Sequence, residues 1–150
     1  MKQSDIAVIV LNWNGKSDSL ACIDTLGKQT LKHEIIAVDN GSEDGFFSEI
    51  QNNYPEIITV GNEKNLGFAG GVNTGIRIAK KQGYKYIALL NNDATPNKDW
   101  LEKLFNTIKS DETVGIVTGK LLKTDGTIDS TGDLYTIWGL PYPVAKAVLS

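Results

Sequence analysis

The stretch "IAVIVLN", residues 6–12, decides the fold. It is an unbroken apolar run, rich in β-branched residues, that ends in Asn12. A strand with one face in water alternates polar and apolar residues. An unbroken run marks a strand covered on both faces, as in a parallel sheet flanked by helices. Working outward, "SDSLACIDTLGKQ" places Leu20, Ile23 and Leu26 at helical spacing, with Gly27 as the stop. "EIIAVDN" reads as a second strand, "SEDGFFSEIQNN" as a short helix, and "IITVG" as a third strand. "FAGGVNTGIRIAKKQG" reads as a helix ending at Gly83, and "YKYIALLNND" as a fourth strand. "PNKDWLEKLFNTIKSD" reads as a helix opened by Pro96 and Asn97, with Trp100, Leu101, Leu104, Phe105 and Ile108 on one face. "TVGIVTG" reads as a fifth strand. The alternation predicts an α/β domain, a mostly parallel sheet with helices on both faces, spanning residues 1–150. Beyond Lys120 the pattern fades into a hairpin around Asp125-Gly126 and a tail that carries Tyr135, Ile137, Trp138, Leu140 and Tyr142 without a clear period.

A chain of 150 residues with 41% hydrophobic and 22% charged residues is long enough for one real core. A net charge of −3 gives no basic footprint for nucleic acid. Cys22 is the single cysteine, which excludes an intrachain disulfide and fits a reducing compartment. No apolar run approaches the roughly 20 residues of a membrane helix. The opening "MKQSD" runs straight into a strand and reads as no signal peptide.

In open α/β sheets, ligands bind beyond the carboxyl ends of the strands. Those ends read "LNWNG", "VDNGSEDG", "GNEKNLGFAGG" and "LLNNDA", each turning at once to Asn, Asp or Gly. Such a row suits a ligand with many hydroxyls, amides and phosphates. Gly67, Gly70, Gly71 and Gly75 cost helix stability, so they serve either close helix crossing or close approach of backbone to a ligand. Trp13 either stacks on a flat base or packs against the first helix. Asp39 either meets a ligand or shapes the "DNGS" turn. Asp93 either helps to hold a hard divalent cation or caps the next helix.

Four segments, "VIVLNWNG", "VDNGSEDG", "NLGFAGGVNTGI" and "LLNNDATP", occur in this order and at characteristic spacing. Together they resemble the nucleotide-sugar-binding part of family 2 glycosyltransferases with the GT-A fold, within the branch of rhamnosyltransferases and related polysaccharide enzymes. The resemblance runs from Ile6 to about Gly139.

The resemblance implies that Asn12, Trp13 and Asp39 contact the nucleotide base. It implies that Asn65 and Gly67 approach the nucleotide, with Phe68, Ala69, Gly70, Gly71 and Asn73 nearby. The family's Asp-x-Asp metal motif falls on Asn91-Asn92-Asp93, so Asn91 faces the substrate and Asp93 holds Mn²⁺ or Mg²⁺, with one carboxylate fewer than the family pattern. The implied reaction is metal-assisted, inverting transfer of a sugar to a glycan or lipid-linked acceptor. The family's catalytic base is a carboxylate far downstream of this motif, so it is expected beyond Ser150, the chain being the donor-binding portion and inactive alone. His33, the one histidine, precedes the second strand on the side away from the ligand. The implied location is cytoplasmic, peripheral to the membrane in the full-length enzyme, with a possible homo-oligomer. The competing reading is a nucleotide- or sugar-binding module without chemistry.

Overall fold

The structure is a computed structural model that describes residues 4–123, 125–130, 133–135 and 141–143. The chain divides into two compact units, Met1–Leu101 and Glu102–Ser150. In chain order the first contains β1 (Ile6–Asn12), α1 (Lys16–Leu26), β2 (Glu34–Asp39), α2 (Phe46–Asn53), β3 (Ile58–Gly61), α3 (Gly67–Lys81) and β4 (Tyr86–Asn91). Helix α4 (Trp100–Ser110) begins at its end.

The four strands form one parallel sheet in the order β3-β2-β1-β4. The apolar run of β1 is therefore interior, and Ala7, Val8, Ile9 and Val10 are buried. Side chains alternate between the two faces. Ala7 and Ile9 join Ile36 and Val38 in one cluster with Ala79 of α3 and with Tyr84. Ala37 joins Ile23 of α1, Phe46 and Ile50 of α2, and Ile57 in another. Helices thus cover both faces. Each fully buried Ile, Val or Phe contributes about 1.5–3 kcal/mol relative to exposure.

The register sets up the site. Asn12 lies beside Asp39, Asp39 beside Gly61, and Leu11 beside Asn91. All four strands therefore end at nearly one level, and their following loops share one edge of the sheet.

Two expectations change. Residues 114–120 form no strand, and Ile116 is almost fully exposed, so the fifth parallel strand is absent. "TVGIVTG" has strand propensity, but propensity supplies no ladder partner, and Gly115 and Gly119 weaken the run further. Helix α4 starts at Trp100 rather than near Pro96. The preceding carbonyls are already engaged, Asn97 by Gln29 Nε2 at 2.9 Å and Lys98 by Thr30 N at 2.8 Å.

In the second unit, β5 (Leu121–Leu122) pairs antiparallel with β6 (Ile128–Ser130), and β7 (Asp133–Tyr135) pairs with β8 (Pro141–Pro143). The first pair closes around Gly126, whose φ of 82° is left-handed. Asp125 accepts from Thr127 N and Oγ1, which lowers its carboxyl pKa. Ile137, Trp138 and Leu140 of the tail lie outside the described residues.

Candidate functional site

Two side-chain hydrogen-bond networks build the carboxyl edge of the sheet. The first centres on Asn12. A polar residue at the end of a buried strand needs partners, because burying an unpaired amide costs about 1–3 kcal/mol. Asn12 Oδ1 accepts from Ser19 Oγ at 2.7 Å and from Gly15 N at 3.2 Å. Its Nδ2 donates towards Ser42 Oγ at 3.0 Å, Asp44 Oδ2 at 3.3 Å and Asp39 Oδ1 at 3.4 Å. Asp44 also takes Lys16 N at 2.8 Å and Phe46 N at 3.0 Å, so one carboxylate caps the first turns of both α1 and α2. Asn92 Nδ2 donates to Ser19 Oγ at 3.0 Å, which extends the network to the end of β4.

The second network centres on Asn40, buried just after β2. Its Nδ2 donates to Asn65 Oδ1 at 2.9 Å and to the Gly67 carbonyl at 3.2 Å. Its Oδ1 accepts from Asn62 Nδ2 at 3.0 Å and Leu66 N at 3.1 Å. Asn62 Oδ1 in turn accepts from Thr74 Oγ1 at 3.0 Å. The adjacent Gly41 has φ 73°, and a Cβ there would lie 2.6 Å from the Lys64 backbone. Only glycine lets the β2 and β3 loops approach this closely.

Between these networks lies an open cleft of about 450 Å³. Its floor comes from Ile9, Leu11, Val72, Leu89 and Leu90, and its polar wall from Asn40, Asn65, Asn91, Asn92 and Asp93. Trp13 and Phe68 also line it, 57% and 63% exposed. Large aromatic faces left in water beside a polar wall suit a flat ligand group.

Of the residues singled out from the sequence, Trp13, Asn65, Gly67, Phe68, Asn91 and Asp93 line the cleft. Asn12 does not, because it is fully buried and its amide is spent within the protein. Asp39 is nearly buried behind it. Ala69 and Asn73 are exposed on α3 outside the cleft lining. Gly70 makes room for Leu66, since a Cβ there would lie 2.7 Å from the Leu66 Cβ. Gly71 faces the sheet, where a Cβ would lie 2.6 Å from Leu11 and 3.1 Å from Asn40. Gly75 sits likewise against Ile9 and Val38. At those two glycines close helix packing is the reason for the residue. Gly67 differs, with φ 71° and open space where a side chain would be. His33 sits before β2 at the far edge of the sheet, its Nδ1 against the Leu31 carbonyl at 2.9 Å. Asn40, Gly41 and Asn92 were not singled out. Their flanking "DNGS" and "NND" signatures read as turn and metal chemistry, and pairing across loops 25 residues apart leaves no local trace.

The cleft offers a cation Asp93, with the amides of Asn91 and Asn92 beside it. Asn92 has its donor committed to Ser19, which leaves its oxygen. Among the described residues no three His, Cys, Asp or Glu side chains group to hold a metal. One carboxylate with amide oxygens fits Mg²⁺ or Mn²⁺, which take remaining oxygens from phosphate and water, and does not fit a closed zinc site. Beneath this end of β4, the Cys22 thiol donates to the Asn91 carbonyl at 3.6 Å. Burial first, and the nearby Asp93 charge second, push its pKa up to about 11. It is a protonated packing group at neutral pH.

Comparison with known proteins gives a consistent picture. The model of the family described as "Glycosyl transferase family 2" matches residues 7–141. Glycosyltransferase AglE of Haloferax volcanii is 27% identical over 150 aligned residues, covering 94% of this chain and 48% of that protein. Chondroitin synthase of Escherichia coli is 27% identical over 103 residues, covering 66% of this chain and 14% of that protein. The chain thus spans at most about half the length of these relatives. Among solved structures, the mannosyltransferase PcManGT of Pyrobaculum calidifontis, in complex with GDP-Man and Mn²⁺, superposes with a TM-score of 0.68 at 23% identity, over 79% of this chain and 36% of that one. TarS 1–349 of S. aureus in complex with UDP-GlcNAc superposes at 0.57 and 18% identity, over 84% of this chain and 42% of that one. At these identities the structural likeness establishes a shared GT-A-like α/β fold.

Proposed function

The chain belongs to glycosyltransferase family 2, and from that premise we propose that its cleft binds a nucleotide-diphosphate sugar as the donor for glycosyl transfer. The observation that carries this reading is the convergence of four strand ends on one cleft with exposed aromatics, amides and a single carboxylate. Trp13 offers a face to the base, and Asp39, just behind, offers it an acceptor. Asn65, Gly67 and Phe68 flank the diphosphate and sugar, with Ala69, Gly70, Gly71 and Asn73 carrying the turn and helix that present them. Asn91 and Asp93 stand at the diphosphate, and Asp93 is the residue to hold Mn²⁺ or Mg²⁺. The ion, when bound, stabilises charge developing on the departing nucleoside diphosphate. Asn12 contributes by holding Asp39, Ser42 and Asp44 in register beneath the base.

The reaction is inverting transfer to a glycan or lipid-linked acceptor in polysaccharide assembly, in a branch near the rhamnosyltransferases. The chain is the donor-binding portion and does not transfer sugar alone. Two facts support this. The described residues place no titratable group but Asp93 in the cleft lining, and the one histidine lies at the opposite edge. No helix among the described residues is long and apolar enough to cross a membrane. A cytoplasmic enzyme, peripheral at the membrane, accords with the lipid-linked acceptor. PcManGT with GDP-Man and Mn²⁺, and TarS with UDP-GlcNAc, support the donor class.

Titration calorimetry with UDP-, GDP-, dTDP- and CDP-sugars, with and without Mn²⁺, tests the reading. One nucleotide is expected to bind, more tightly with Mn²⁺. Absence of binding across the panel would sink it.

A further inference from the structure

Asn40 has an amide whose entire capacity is used. An asparagine carries two N–H donors and two acceptor lone pairs. Here both donors go to Asn65 Oδ1 and Gly67 O, and the oxygen takes Asn62 Nδ2 and Leu66 N, all between 2.9 and 3.2 Å. Although Asn40 lines the cleft, nothing of its amide remains for a ligand. Its next neighbour in the network is different. Asn65 Oδ1 accepts from Asn40 Nδ2 and also from Gly67 N at 2.7 Å. The oxygen of Asn65 is therefore committed to the protein, and what the residue has left for the cleft is its N–H₂ group.

We propose that Asn40 is a positioning residue for donor binding, which fixes the amide of Asn65 so that the β3–α3 loop offers hydrogen-bond donors to the ligand. The inference rests on the donor-binding reading above. It goes further in specifying what the loop recognises, namely an acceptor oxygen on the nucleotide sugar. Without Asn40, the Asn65 amide keeps only the Gly67 N–H of the two donors that distinguish its ends. It can then turn over and present oxygen to oxygen.

The test uses the 150-residue chain, the nucleoside diphosphates UDP, GDP, dTDP and CDP, calorimetry for affinity and thermal melting for fold. The diphosphate bound by the unsubstituted chain is carried forward. Asn65→Asp keeps an inward oxygen for Asn40 and Gly67 and replaces the outward donor with an acceptor. It is expected to leave Tm unchanged and to weaken binding about 10- to 100-fold, the range for a lost hydrogen bond to a charged group. Asn40→Ala is expected to weaken binding as well, yet to add little further loss in an Asn65→Ala background. That non-additivity marks action through Asn65. Equal losses from Asn40→Ala in both backgrounds would overturn the proposal, since a general loosening of the fold acts regardless of residue 65. Where Asn40→Ala does not fold, Asn40→Asp, which keeps the acceptor for Asn62 and Leu66 and loses the donor to Asn65, takes its place in the same comparison, and equal losses in the two backgrounds overturn the proposal. Unchanged affinity in Asn65→Asp overturns it too. An unsubstituted chain that binds none of the diphosphates overturns the donor-binding reading itself, and this inference with it.

Discussion

Gly41 carries two constraints at once, a left-handed φ of 73° and a Cβ position 2.6 Å from the Lys64 backbone. Backbone cannot yield as a side-chain tip can. Gly41→Ala should cost about 2 kcal/mol or more, from the left-handed strain plus the clash. A melting curve lowered by less than about 2 °C would refute that account. Cys22 gives a second prediction. Its thiol is held protonated by burial and by Asp93, with a pKa raised from 9.0 to about 11. A raised thiol pKa means the folded state favours the neutral form. The stabilisation is full below pH 9.0 and is lost as pH rises towards 11. Iodoacetamide at pH 8 should leave Cys22 unmodified in the native chain and alkylate it rapidly in denaturant, as read by mass spectrometry. Rapid native labelling would contradict the buried, protonated thiol.

Helix α3 sets two effects against each other. Glycine in a helix interior costs about 1 kcal/mol against alanine, so Gly75→Ala should help on propensity alone. A Cβ there would lie 2.7 Å from Ile9 Cγ2 and 3.0 Å from Val38 Cγ2, both inside the sheet core. Overpacking of that kind costs about 1–3 kcal/mol. Packing should win, and Gly75→Ala should lower Tm, while Asn73→Ala on the exposed face of the same helix should leave it level or slightly raised. The reverse order would show that α3 does not rest on the strands as described. Sequence and structure agree where the evidence is local. Strands β1 to β4 are readable because their apolar runs are continuous, and α1 because Leu20, Ile23 and Leu26 stand at helical spacing. "TVGIVTG" is as apolar as a strand and forms none, since a ladder depends on a partner elsewhere in the chain. The start of α4 is set by Gln29 and Thr30, some seventy residues earlier, which no window around Pro96 contains. At the site, Trp13 and Asp93 are visible as unusual residues at strand ends. Asn12 and Asn40 are visible only as asparagines, because their meaning lies in which loops they join.

Every residue lining the cleft, from Ile9 to Asp93, belongs to the unit Met1–Leu101. A chain ending after Ser110, with α4 intact, should bind the same nucleoside diphosphate within about two-fold of the full chain. A much larger loss would place part of the binding surface in the second unit. Ligand that binds the folded state stabilises it by mass action, by about 2.7 kcal/mol at a hundred-fold excess over Kd, and so raises Tm. With Mn²⁺ present, Asp93→Asn should reduce that nucleotide-dependent rise to its metal-free value. A persisting Mn²⁺ effect would move the ion to other ligands. The amides at the sheet edge pair within the protein, Asn12 with Ser19 and Asp39, Asn40 with Asn62 and Asn65. An edge held by such pairs has no slow ordering step to await. In a stopped-flow experiment, association of the nucleotide should be a single exponential whose rate rises linearly with nucleotide concentration, without a plateau. A saturating rate would mean that these loops must first rearrange, and that the hydrogen bonds seen between them belong to a state the protein enters late.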